Sequence, residues 1–325
     1  MPQCSFLRTV MLTVAALCLW LGAADSGAQV GSALMAIPWQ PGQTVNSINY
    51  YLGLQTESET VGVDTNLTRG VSLGRFRFDA NDPQSLTVGW LFDHIEIDSL
   101  DPLLPGQLTN TAVAVGKNLG QITGDWNVAV SGGVGFAGDQ PFGDEDGYYT
   151  LGSVLASKQL DRQTRLTLIL DFDGSRAVLP DVPLPGIQYS VFVSPQLRYS
   201  LGLPFSTIFY QPDDRWTFDI QYALPLGGRA DISYRIDDRL TAFAGYSATN
   251  RAFHIDGEEN ERIFFSQDRA ELGLRFSPVP DQTWTVSGGW AFDQEFTTGF
   301  NSFDDGDLRE LDDAAFLRLG LRFGF

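Results

Sequence analysis

The chain has 325 residues, 43% of them hydrophobic and 12% aromatic, with 34 glycines, 23 phenylalanines and two cysteines. That aromatic content excludes an intrinsically disordered chain, and glycine without a three-residue period excludes collagen. The formal charge of −19 repels a phosphate backbone, which excludes nucleic acid as a partner. Arginine supplies nearly all the positive charge, since Lys117 and Lys158 are the only lysines.

Residues 1–28 read as a cleaved signal peptide. Arg8 precedes an apolar run from Thr9 to Leu21, and Ser26-Gly27-Ala28 offers a small-x-small cleavage site. The run is too short to cross a bilayer as a helix. Cys4 and Cys18 both fall in this leader, so disulfides, a thiol nucleophile and cysteine metal sites are excluded from the mature chain. Residues 29–44 are expected to form an N-terminal periplasmic segment, and residues 45–325 a single domain.

From Val45 onward the hydrophobic period is two, the mark of strands with unlike faces. Leu86, Val88, Trp90 and Phe92 alternate with Thr87, Gly89, Leu91 and Asp93. The same pattern recurs in the stretches starting at Trp126, Leu166, Trp216 and Trp284. Six polar turns each precede a strand start of the form (Leu or Trp)-(Thr or Asn)-apolar, at Leu86, Trp126, Leu166, Trp216, Leu240 and Trp284. Mostly longer polar segments alternate with these turns: 56–68, 97–108, 137–147, 173–186, 250–262 and 296–311, with Leu224–Gly228 as a tight exception. Short turns at one end and long loops at the other predict an all-β, closed antiparallel transmembrane β-barrel. The count gives about 14 strands, or 12 if the stretch 187–211, interrupted by Pro195 and Pro204, is misread.

The C-terminus alternates Leu317, Leu319, Leu321, Phe323 and Phe325 with Arg318, Gly320, Arg322 and Gly324. In water such a stripe is an aggregation hazard; lipid and barrel closure remove it. This strand resembles the terminal strand of bacterial outer-membrane barrels, which implies recognition by the barrel-assembly machinery and placement in the cell outer membrane. The turns at 210–217 and 234–241, with the terminal strand, also resemble two families. One is the uncharacterised planctomycete-type outer-membrane barrel family, the other the barrel family of the meta-cleavage pathway of phenol degradation. Neither resemblance carries a catalytic motif.

Facing assignments follow from parity. Apolar residues point to lipid, with Trp126, Trp216 and Trp284 as an interfacial aromatic girdle. The lumen is expected to be lined by Arg75, Arg77, Asp171, Asp219, Asp231, Arg269, Glu271, Arg275, Arg318 and Arg322. These groups either oppose one another across open water, as in a porin constriction, or pair into braces that fill a closed lumen. Segment 173–186, with Pro180, Pro183 and Pro185, is the candidate for a loop returning toward the lumen. Acidic loops at 144–146, 258–261 and 304–307 form a solvated negative surface that would favour cations at the mouth; no EF-hand spacing is present. His94 shares the lipid-facing parity of Phe92, and His254 has Asp256 two residues on but no serine in register, so no enzyme, cofactor or metal site is expected. The functional expectation is a passive porin-like channel for small solutes, with lipid and lipopolysaccharide around it. The alternatives are a non-conducting or adhesin-like barrel whose loops bind surface polymers and, more remotely, an outer-membrane hydrolase.

Overall fold

The structure, a computed structural model, describes residues 34–35, 46–60, 62–143, 145–223, 227–257, 261–302 and 306–325. The signal-peptide reading and most of segment 29–44 lie outside the described residues. So do Asp144, Glu258, Glu259, Asp304 and Asp305 of the acidic loops.

Strands β1 (Ser47–Gln55), β2 (Ser58–Thr60), β3 (Val63–Arg77), β4 (Thr87–Ser99), β5 (Gln107–Thr123) and β6 (Trp126–Gly138) form the first third. Next come β7 (Tyr148–Gln159), β8 (Thr164–Asp173), β9 (Leu184–Ser194), β10 (Leu197–Leu203), β11 (Phe205–Tyr210) and β12 (Trp216–Ala223). The last six are β13 (Gly227–Arg235), β14 (Leu240–His254), β15 (Arg262–Phe276), β16 (Gln282–Gly299), β17 (Gly306–Leu311) and β18 (Ala314–Gly324). Each of β3 to β16 pairs antiparallel with the next, β16 pairs with β18, and β18 pairs with β1, which pairs with β3. The ring is therefore closed, with 16 strands. Strands β2 and β17 are short extensions that pair only with the long-loop ends of β3 and β16.

The strand count corrects the expected 14. The two extra strands lie in 187–211, where Pro195 and Pro204 are turns rather than interruptions of one long strand. Proline has no N–H to give a ladder, so each falls where the chain reverses. A serine closes each reversal. Ser194 Oγ accepts the N–H groups of Gln196 and Leu197 at 3.2 Å, and Ser206 Oγ accepts the Gly202 N–H at 3.1 Å.

The repeated Asp-Asp-Arg turns have a common mechanism. Asp213 Oδ1 accepts the N–H groups of Arg215 and Trp216 at 2.8 and 2.9 Å, and Asp237 Oδ1 accepts those of Arg239 and Leu240 at the same distances. Such Asx-type bonds substitute a side chain for the backbone acceptor of a turn. The donors hold the Asp213 carboxyl below the usual carboxylate range.

Exposure alternates along the wall. Leu52, Leu168, Leu170, Leu274, Val286, Trp290, Leu317 and Leu319 are exposed on the outer surface. Their neighbours along each strand face the lumen. Trp216 and Trp284 stand exposed at strand starts near the short turns, and Trp126 is half-buried at the start of β6. Asp293, at a positive φ of 47°, marks a bulge in β16. Beyond it the inward parity shifts by one, so Gln294 and Phe296 face in.

Candidate functional site: the lumen and its closed outer half

Opposite walls of the barrel touch at the long-loop end. In the ring order β6 and β14 lie eight positions apart in either direction, yet Gly138 of β6 and His254 of β14 form a parallel bridge. The Asp139 N–H donates to the His254 carbonyl at 3.3 Å, and the Asp256 N–H donates back to the Asp139 carboxylate at 3.1 Å. Burial is the main cause that pushes the Asp139 carboxyl up. Segment 174–183 crosses from β8 to the far wall. The Arg176 carbonyl accepts from Arg262 Nη1 of β15 at 2.9 Å, and the Ala177 carbonyl accepts the Ser302 N–H at 2.9 Å. Ala177 packs with Ala252 and Phe264. The segment singled out by its prolines thus straps the outer mouth.

Beneath this strap the lumen is filled by side chains of the wall together with Leu34 and Met35, which precede β1. Leu67, Ile95, Ile97, Leu108, Phe253, Ile263, Phe265 and Phe296 are at most 4% exposed, and the Phe265 and Phe296 rings stack at 4.7 Å. Leu34 and Met35 belong to the same cluster. Polar groups in this layer are bonded to one another. Gln267 donates to Gln55 at 3.0 Å and to Gln294 at 2.6 Å, and Tyr149 donates to Asn110 at 2.8 Å.

An ion cluster sits within this layer. Asp93 has no solvent exposure and receives Nε and Nη2 of Arg69, both at 2.8 Å. Arg251 Nε of β14 reaches the same carboxylate from across the lumen at 2.9 Å, and Arg269 adds its charge to that carboxylate's surroundings. A bidentate guanidinium pair in a dry site is the strong form of this interaction.

The inner half differs. Arg322 of β18 and Arg229 of β13 are exposed while facing inward, and Arg275, Arg318 and Asp219 are half-buried. Exposed charge inside a closed ring means a water-filled space at that level.

Each predicted lumen residue can now be placed. Asp231 binds Arg275 Nη1 at 3.0 Å, and Glu271 binds Arg318 through Nη2 at 2.6 Å and Nε at 3.0 Å. Asp171 binds Arg176 at 2.9 Å and Ser153 at 2.6 Å. These carboxylates are met by arginines two ring positions away or on the adjoining loop, which makes braces. Asp219 accepts from Gln221 at 3.0 Å. Arg75 and Arg77 are buried, Arg77 near Thr87 and Asn46. Arg269 lies 5.7 Å from the centroid of the Phe316 ring.

Sequence reasoning missed Asp93, Arg69 and Arg251. Asp93 stood on the polar parity of its strand, a usable signal, but its partner Arg251 is brought to it only by barrel closure. His94 faces outward, bonds Thr109 at 2.8 Å and stacks on Phe92; His254 serves the β6–β14 bridge through its backbone.

No family model matches the sequence, and no curated protein matches it, so the two family resemblances gain no support. Solved structures it is similar to include the NanC porin, at 10% identity and TM-score 0.31 over 86% of this chain and 100% of that one. The Pseudomonas putida toluene transporter TodX matches at 10% identity and TM-score 0.36, over 93% of this chain and 94% of that one. The Acinetobacter baumannii outer membrane protein Omp33 matches at 9% identity and TM-score 0.34, over 87% and 100%.

Proposed function

We propose that this chain is a bacterial outer-membrane channel for small solutes, held closed at its outer end by its own wall. The observation that carries the reading is the contrast between faces. The outside presents exposed leucine, valine and tryptophan along strands of a closed ring, a surface suited to hydrocarbon. The inside keeps exposed arginine at its inner half. Barrels of this strand number are wide enough to leave an aqueous passage once side chains withdraw. The leader-like sequence of residues 1–28 and the apolar alternation over 317–325 support export and insertion by the barrel-assembly machinery, with lipid and lipopolysaccharide as surroundings. A second reading, a non-conducting structural or adhesin-like barrel, is favoured by the Gly138–His254 bridge and the strap at 174–183.

Single-channel recording of the refolded chain in a planar bilayer separates the two. Discrete conductance steps, more frequent when Asp93→Asn loosens the packed layer, are expected of a closed channel. A correctly folded barrel silent in both forms overturns the channel reading.

A further inference from the structure

The lumen-facing charge is not balanced at the inner level. Arg275 is taken by Asp231 and Arg318 by Glu271. Arg229 and Arg322 have no ion pair among the described residues, and both remain exposed. Their strands are four positions apart in the ring, yet each lies within electrostatic reach of the other, as Arg275 does of Arg322. Asp281, at the β15–β16 turn, also lies within electrostatic reach of Arg322. Asp231, paired with Arg275, also lies within electrostatic reach of Arg229, and Asp219 on the adjoining β12 bonds Gln221. Arg229 and Arg322 still leave two guanidinium groups facing the lumen without an ion pair of their own among the described residues, donors suited to an oxyanion.

We propose that the inner half of the lumen is an anion-binding vestibule, selecting small solutes that carry a carboxylate or phosphate. The acidic loops do not cancel the vestibule's field. Among the described carboxylates of those loops, Asp146 and Glu261 border the long-loop ends of β7 and β15, and physiological salt screens exposed charge over roughly 8–10 Å. Selectivity is set by the charge nearest the permeating ion, so the arginines and not the loops govern it. The inference deepens the channel reading by naming its solute class, and its binding part stands without conduction.

The test uses the refolded full chain and inorganic phosphate as the probe. At matched ionic strength, phosphate is expected to raise the unfolding midpoint of the wild type above its value in chloride, because a ligand bound only by the folded state stabilises it. Arg229→Ala with Arg322→Ala is expected to remove that increment, while Arg239→Ala, on an exposed turn outside the lumen, retains it. No phosphate increment in the wild type, or an equal one in the double variant, overturns the vestibule. In a bilayer under a KCl gradient, the wild type is expected to prefer chloride, and the double variant to shift the permeability ratio toward potassium by roughly tenfold. A silent barrel that still shows the phosphate difference refutes the channel and supports the vestibule. A conducting barrel that prefers potassium and ignores the double variant refutes the vestibule and supports the channel.

Discussion

Replacing Asp93 with asparagine keeps the size of the side chain and removes the one carboxylate that Arg69 and Arg251 share. Both guanidinium groups then remain in a layer where Leu67, Ile95 and Phe265 exclude water. The pair itself contributes little net stability, because burying it cost desolvation. Stranding its cations is what costs, about 3–5 kcal/mol for a broken buried pair. With a urea dependence of about 2 kcal/mol per molar, that corresponds to a midpoint lowered by about 2 M. Urea titration of the lipid-reconstituted barrel, followed by tryptophan fluorescence, reads it directly. Adding Arg251→Met should restore part of the loss, since one stranded charge is replaced by a chain of similar reach. A midpoint for Asp93→Asn within about 0.5 M of wild type, or a further fall on adding Arg251→Met, would refute the account of the cluster.

Two further outcomes are expected. The Asp101 carboxyl, bonded by Arg309 of β17, is held below its ordinary value, mainly by that hydrogen bond. A depressed carboxylate stabilises the fold above its unfolded pKa of about 3.9 and loses that contribution as pH falls through the folded value. Protection from hydrogen exchange in segments 100–106 and 306–311, taken relative to an unstructured chain at the same pH, should therefore stay high at pH 5–7 and fall only below about pH 4; Asp101→Ala should show low protection already at neutral pH. Leu319, exposed on the outer face midway along β18, should tolerate Arg poorly, at about 2–4 kcal/mol near the bilayer midplane. Equal folding yields of Leu319→Arg and wild type in lipid vesicles would argue against lipid contact there.

Alternation along each strand is a local property, and it is what made the two faces legible: Trp216, Phe218 and Ile220 against Thr217, Asp219 and Gln221. The Asp213 and Asp237 turns are local too, each closed by its own backbone. What escaped was non-local or depended on a single residue. Pro204 alone joins β10 to β11, far less punctuation than the turn at 211–215 provides, so two strands were counted as part of a longer irregular stretch. The pairing of Asp93 with Arg251 depends on ring closure and on the approach of β14 toward the opposite wall. Period-two patterning says which way a side chain points. It is silent on how near the facing wall stands.

The contact between β6 and β14 also has a mechanical consequence. Strand spacing is fixed by hydrogen bonds at about 4.8 Å, so the rim's circumference cannot shrink when two opposite points meet. The cross-section there is pulled into a flattened hoop that encloses less area than a circle of the same perimeter. Any motion that parts Gly138 from His254 must round the hoop and widen the rim. In the channel proposed above, opening is therefore tied to the lateral pressure of lipid around that rim, through geometry alone.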